Sequence, residues 1–532
     1  MSASTPLVLA DSVSVAYGQK LANDRVSLAI PPGEVVALLG ENGAGKSTLL
    51  HALYGLCPLA SGNVFYGGQQ VVPSPERAIA AGIGLIHQHF LLVPTLTVAE
   101  NIVLGKEPTR FGVWLKKKKA NEEVAALAEK HGLSVDPTRV VEKLSVGEAQ
   151  RVEILKALYR GARVLLLDEP TAVLTPKEAE RLLASLRGLL AQNDGIARAM
   201  VLVTHKLDEV LHTADRAVVM RGGRVVTELE QRDFSVSKMA HAMVGRALKP
   251  VVRTHSVTGQ WNGGTQAPGS AAVPPALSIR NLCVERDGVT WVRGVSLNVA
   301  PFRIVGIAGV LGNGQRELIE AIAGLLPCKS GTICLGSRDV TTAPTDARLK
   351  LGLALVPEDR HKHGLVLLGT LAENLLLGHE ERFWKGPFGM FLDAQKLHRQ
   401  AEKVLEDADV RPAQPEAVAQ SLSGGNQQKL LLARALNMGD SVPKVLLAAQ
   451  PTRGVDLGAI EAISEALLAA RDKGCAILLV SSELSELQAL ADELYVMYRG
   501  ELVTHIENDP ERPVSREQLG EWMAGVGTAV AS

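Results

Sequence analysis

The sequence predicts an α/β protein built as two tandem domains of one kind. Each is expected to be a mixed α/β core with a largely parallel sheet, an antiparallel β portion and a helical subdomain. Three observations carry this expectation. A glycine-rich loop, Gly40-Glu41-Asn42-Gly43-Ala44-Gly45-Lys46-Ser47-Thr48, stands between the apolar run Val35–Leu39 and a helix-like stretch beginning at Leu49. Continuous apolar runs, as parallel central strands require, end at that loop, at Asp168 and at Thr204-His205. The same motifs then return in the same order at separations of 269 to 281 positions, which marks an internal duplication.

The bulk properties set the frame. At 532 residues the chain is too long for one hydrophobic core, and about two to four domains are expected. With 46% hydrophobic and 21% charged residues it reads as an ordinary globular protein. A net charge of −1 argues against a large nucleic-acid-binding surface. Cys57, Cys283, Cys328, Cys334 and Cys475 are scattered, with no C-x-x-C spacing, and read as reduced, mostly buried thiols. No apolar run reaches the roughly 18 residues that a membrane span needs. No basic-then-apolar leader opens the chain, so it is expected to stay in the cytoplasm.

In chain order, Leu7 to Ile30 alternates apolar and polar residues around Gly18 and predicts antiparallel strands. Tyr17 lies there, an aromatic placed to stack on a nucleotide base. The loop at Gly40 follows. Its glycines let successive N–H groups curl around phosphate oxygens, and the helix behind it adds positive partial charge. Lys46 reaches phosphates and Ser47 offers a hydroxyl to Mg²⁺, so strand, loop and helix together predict a P-loop. Ile83–Ile86 is a second buried strand running into His87-Gln88-His89. From about Thr97 to Leu158 the pattern is helical and charged, with Lys116 to Lys119 as a solvated face. The strand at Val164 ends in Asp168-Glu169, two adjacent carboxylates that are costly there unless a cation waits. Residues 251–275 are rich in Gly, Pro, Ser and Thr and read as a linker between domains at 1–250 and 276–532.

The repeat is unequal. Gly309-Val310-Leu311-Gly312-Asn313-Gly314 echoes the P-loop, but Gln315, Arg316 and Glu317 stand where the first copy has Lys46, Ser47 and Thr48. Ala449 and Gln450 replace Asp168 and Glu169; Ser482 replaces His205, Glu358 replaces Gln88, and Arg286 replaces Tyr17. The segment Leu144-Ser145-Val146-Gly147 recurs as Leu422-Ser423-Gly424-Gly425-Asn426-Gln427, and here the second copy is the fuller one.

A P-loop, a glutamine after the next strand, an L-S-x-G signature, a D-E strand end and a late histidine resemble the ATP-binding cassette (ABC) ATPases. With two cassettes in one chain, this sequence is similar to the duplicated ATPases of bacterial simple-sugar and nucleoside importers. The loop at Gly312 and the strand end at Ala449 bring it closest to the nucleoside-uptake branch. The resemblance implies two tandem P-loop NTPase domains of the ABC type, with ATP and Mg²⁺ as cofactors. It also implies nucleotide sandwiched between the P-loop of one cassette and the signature of the other. Gly40 to Thr48 with Lys46 would hold phosphate, and Ser47, Gln88 and Asp168 would organise Mg²⁺. Glu169 would polarise the attacking water and His205 would contact the γ-phosphate, with Gln88 and Lys46 also catalytic. Ser423, Gly424, Gly425, Asn426 and Gln427 would complete that site, leaving the other composite site degenerate. In the first copy Val146 stands where the pattern has glycine and Thr175 where it has aspartate.

Implied partners are transmembrane permease subunits and, through them, an extracytoplasmic solute-binding protein, with no nucleic acid. The implied location is peripheral, on the cytoplasmic face of the inner membrane. A ribose- or galactose-type importer ATPase is the alternative, and a soluble tandem-cassette translation factor a more distant one. The short Gly/Pro/Ser-rich linker and the ruined second site speak against the latter. The lack of Cys pairs speaks against a DNA-repair cassette protein.

Overall fold

The computed structural model describes residues 5–18, 20–87, 90–110, 114–171, 174, 176–191, 196–246, 274–310, 312–385, 391–437, 439, 441–509, 514–523 and 525. The chain divides into two compact units, Met1–Leu248 and Lys249–Ser532. Apart from residues 274 and 275, the expected linker lies outside the described residues.

In the first unit a six-stranded sheet runs in the order Arg224–Glu230, Arg216–Arg221, Val35–Leu39, Ala199–Val203, Val164–Asp168, Ile83–Ile86. All its pairings are parallel except that of the first two strands. Every residue of the three central strands is buried, which is why they read as unbroken apolar runs rather than alternating ones. Register decides where chemistry is possible. Val203 pairs with Asp168 and Val219 with Leu39. Gly40, Glu169 and Thr204-His205 therefore emerge together at the carboxyl edge, the place where open parallel sheets bind ligands.

A four-stranded antiparallel sheet, ordered Lys20–Ile30, Val8–Tyr17, Ser61–Tyr66, Gln69–Val71, lies over the P-loop helix Lys46–Tyr54. Val13, Val15, Val26 and Leu28 share one core with Leu49, Leu50 and Leu53 of that helix and with Val36, Leu38 and Leu166 of the central sheet. The contact is close at Gly45, whose φ of 97° suits glycine. A Cβ there would sit 2.4 Å from the Ala22 carbonyl oxygen, and Asn23 Nδ2 donates to the Gly45 carbonyl at 3.0 Å. The antiparallel sheet thus holds the loop in shape from behind.

The helical subdomain contains the helices Val98–Val103, Lys117–Lys130 and Val146–Tyr159. Thr97 with Glu100 and Ser145 with Glu148 close capping boxes on the first and third. The helical pattern expected across this segment is interrupted by a short hairpin, Thr109–Arg110 with Trp114–Leu115. Lys117, Lys118 and Lys119 are solvated and pair with Glu100, Glu122 and Glu123. One expectation needs correction: only Cys475 is fully buried, and the other four cysteines are partly buried on strands and loops.

The second unit repeats this architecture strand for strand. Its six-stranded sheet runs Glu501–Glu507, Glu493–Tyr498, Ile304–Ala308, Ala476–Ser481, Val445–Ala449, Leu353–Val356, and its antiparallel sheet Val289–Val299, Leu277–Arg286, Ser330–Leu335, Arg338–Asp339. Among the described residues, no helix is long and apolar enough to cross a membrane.

Because a side chain at Gly45 would meet the Ala22 backbone as well as the buried Asn23 amide, Gly45→Ala is expected to destabilise the protein by about 1–3 kcal/mol. It should also abolish nucleotide binding; denaturant unfolding and a fluorescent-nucleotide titration would check the two effects.

Candidate functional site

The carboxyl edge of the first unit gathers the predicted residues. Gly40, with φ 151°, turns the chain under the Met220 carbonyl, which a Cβ would approach to 2.3 Å. Lys46 opens the loop's helix and folds back, its Nζ donating to the carbonyls of Gly40 at 2.8 Å and Glu41 at 2.9 Å. The ammonium is therefore already inside the loop. Ser47 Oγ donates to Asp168 Oδ1 at 3.0 Å. A hydroxyl and a carboxylate oxygen side by side are the donors a hard divalent cation takes. Tyr17, 56% exposed, stands beside Thr48 and Cys57, leaving ring surface for a base.

Glu169 and Asp168 are adjacent yet differently set. Burial pushes the Asp168 carboxyl above its usual range, and the Glu169 charge adds to the rise; Ser47, His51 and Lys46 only partly oppose it. Burial also raises Glu169, but the hydrogen bond and charge of His205, with Lys46 and Lys206, outweigh it and hold that carboxyl below its usual range. His205 Nδ1 lies 3.2 Å from Glu169 Oε1. Glu169 takes φ 48°, a left-handed conformation that costs a non-glycine residue about 1–3 kcal/mol. Its backbone N–H donates to Val203 O at 3.0 Å, tying it to the strand that delivers His205.

Sequence reasoning missed Glu209. Its two oxygens accept from Thr171 Oγ1 at 2.6 Å and Thr204 Oγ1 at 2.9 Å, clamping the segment after Glu169 to the segment carrying His205. Glu486 occupies the same place in the second unit, its Oε2 accepting from Ser481 at 2.5 Å, and burial raises its carboxyl to about 7. The separation of 277 positions, shared with His205 and Ser482, is the signal that would have found the pair. Gln88, Thr175 and the side chain of Val146 lie outside the described residues.

The second unit keeps the backbone of this edge and loses its charges. Gln450 has φ 50°, nearly that of Glu169, but its Oε1 accepts from Ser482 N and Oγ, both at 3.1 Å. Gln315 folds into its own loop: Nε2 donates to Val310 O at 3.1 Å and Oε1 accepts from Asn313 N at 3.1 Å. Arg316 is engaged by Glu320 at 2.6 Å. The signature, by contrast, is well formed. Ser423 is exposed ahead of the helix Gly424–Asn437, and Asn426 Nδ2 donates back to Ser423 Oγ at 3.1 Å. Gly425 packs where a Cβ would lie 2.9 Å from Ala459 Cβ and 3.0 Å from Asp456 Oδ2. Gln427 is buried and braces the loop, its amide held by Ala419 O at 3.2 Å and His361 at 2.9 Å.

Residues 23–172 and 292–453 each match the family model described as ABC transporter. The chain belongs to the ABC transporter family. It is an ATPase of that family, with a nucleotide-binding cassette in each unit. It is 41% identical, over 96% of its length and 97% of the relative's, to a nucleoside import ATP-binding protein of Lactococcus lactis. It is 40% identical to a guanosine import ATP-binding protein of Bacillus subtilis, covering 97% of this chain and 96% of that one. A glucose import ATP-binding protein of Haloferax volcanii is also 40% identical, with 99% and 97% covered.

The raised Asp168 carboxyl gives this ABC cassette a measurable cost. A carboxyl whose folded pKa lies above its unfolded value weakens the fold as pH rises through the interval between them. Asp168→Asn keeps an oxygen for Ser47 and removes the penalty. The nucleotide-free variant is therefore expected to unfold at a higher temperature than wild type at pH 7, while its ATP turnover falls by at least about a hundredfold. Scanning calorimetry and a phosphate-release assay test this.

Proposed function

We propose that this chain is the ATP-hydrolysing subunit of a nucleoside importer, with one hydrolytic site built on the P-loop of the first unit. The observation that carries the single-site reading is the side-by-side placement of Lys46, Ser47, Asp168, Glu169 and His205 on one edge, set against their loss at Gln315, Arg316, Ala449, Gln450 and Ser482. The relatives named for nucleoside and guanosine import supply the substrate class. The glucose import relative keeps a sugar as the second reading.

Phosphoryl transfer needs positioning and charge neutralisation more than covalent help. Gly40 to Thr48 would cradle the phosphates by backbone N–H groups, with Lys46 exchanging its two loop carbonyls for phosphate oxygens. Ser47 and Asp168, with Gln88, would hold Mg²⁺, whose charge neutralises the phosphate oxygens when bound. Glu169, kept ionised, would orient the attacking water. His205, its Nδ1 engaged by Glu169, would present its other nitrogen to the terminal phosphate. Ser423 to Gln427 of the second unit would complete the site, and the second P-loop would contribute no hydrolysis. Membrane permease subunits, and through them an extracytoplasmic solute-binding protein, would receive the work at the cytoplasmic face.

Glu169→Gln is expected to reduce ATP turnover by about a hundredfold or more, and Gln450→Glu to leave it at the wild-type level. In source cells lacking the chain, uptake of labelled nucleosides should fall and be restored by wild type but not by Glu169→Gln. Loss of glucose or ribose uptake instead would overturn the substrate, and unchanged uptake of all three would overturn the transport role.

A further inference from the structure

The second unit places a guanidinium where its own electrostatics disfavour one. Arg360 lies against the signature: a Cβ on Gly424 would meet its Nη2 at 2.9 Å. Its Nη1 donates to Arg453 O at 3.2 Å, and its Nε is buried without a hydrogen-bond partner. The neighbouring carboxylates are otherwise engaged. Asp359 Oδ1 accepts from the N–H groups of His361 and Lys362, both at 3.0 Å, and Glu358 accepts from Arg453 at 2.8 Å. Burial pushes the Arg360 guanidinium below its ordinary range; Asp359 opposes this and Arg453 adds to it.

Gly424–Asn437 begins here, and its first turn carries no acidic residue. A helix N-terminus favours an anion and disfavours a cation. Arg453 is answered by Glu358, whereas Arg360, beside the start of this helix, makes no ion pair among the described residues and keeps a buried Nε without a partner, an arrangement that an anion would complete.

The first unit has none of this. At the positions of Arg360 and Arg453 it carries Phe90 and Ala172. Its signature helix holds an acid of its own, Glu148, in the first turn, where the second unit has Asn426. The basic pair therefore accompanies the signature that kept its glycines.

We infer that Arg360 is a phosphate-binding residue: with the backbone of Ser423 to Gly425 it takes the terminal phosphate of the ATP that this signature engages. This rests on the proposed role of the second signature in completing the hydrolytic site. An arginine there supplies positive charge as the phosphate oxygens gain charge, so it lowers the barrier as well as the dissociation constant.

The test uses the full-length chain with its permease subunits. Arg360→Met keeps the bulk of the side chain and removes its charge. It is expected to lower kcat for ATP at least about tenfold and to weaken ATPγS binding while leaving ADP binding unchanged. Arg360→Lys should recover part of the loss, and the unfolding temperatures of both should match wild type. Gly424→Val, measured in parallel, separates the two claims. If Gly424→Val abolishes turnover while Arg360→Met keeps wild-type kcat and ATPγS affinity, the inference about Arg360 is wrong and the signature's role stands. If Gly424→Val is also active, the reading on which both rest is wrong. If Arg360→Met weakens ADP and ATPγS equally, or only lowers the unfolding temperature, the residue braces the loop and does not bind the terminal phosphate.

Discussion

Two carboxylates next to each other at the end of a fully buried strand are the constraint from which the rest of the first unit follows. Asp168 and Glu169 repel one another and are both desolvated. The fold accommodates them by dividing them. Asp168 faces the P-loop and takes the Ser47 hydroxyl. Glu169 is turned by a left-handed backbone toward His205. Parallel register then matters in detail, because the strand carrying His205 must end level with the strand carrying Asp168. The Glu209 clamp fixes that alignment from below through two threonine hydroxyls. A site strained and charged in this way is poorly stable without its ligand and well prepared for it, the usual balance at a functional site.

The second unit shows what happens when the constraint is lifted. With Ala449 and Gln450 at the strand end there is no repulsion to manage, and Gln450 closes a neutral network with Ser482. The left-handed backbone persists at Gln450 all the same. The backbone geometry therefore belongs to the fold, and only the side chains carry the chemistry. Gln315 behaves likewise, satisfying its own loop where Lys46 holds an ammonium against two carbonyls. At the signature of this unit the Arg360 guanidinium lies against Gly424 and donates to the Arg453 carbonyl. The first unit keeps the charged side chains of the P-loop edge, and the second keeps the glycines of the signature.

Much of this was legible in the sequence because buried parallel strands and phosphate loops leave direct signals. The runs before Gly40, Asp168 and His205 had to be strands, and a period near 270 positions had to be a duplication. The expected roles of Lys46 and Ser47 followed from the loop's residue types and spacing, and that of Glu169 from the resemblance to the ABC ATPases. Other features were silent for physical reasons. The Thr109–Arg110 hairpin is too short to show a period. Glu209 is one of two adjacent acids, with Asp208, on a short helix, and only its repetition at Glu486 distinguishes it. The cysteines were read as buried from residue type, yet Cys283 and Cys334 sit on antiparallel strands with one partly open face. Arg360 looks in sequence like one more charge in Glu358-Asp359-Arg360-His361. Its meaning comes from the chain reversal that sets it against Gly424.

The central claim is that hydrolysis occurs only on the nucleotide held by the first P-loop. It is tested most directly by trapping azido-ADP with vanadate after turnover, crosslinking it by light and mapping the labelled peptides. The account predicts label on peptides containing Gly40 to Thr48 and on those containing Ser423 to Gln427. Trapped product on the loop from Gly309 to Gln315 would contradict it.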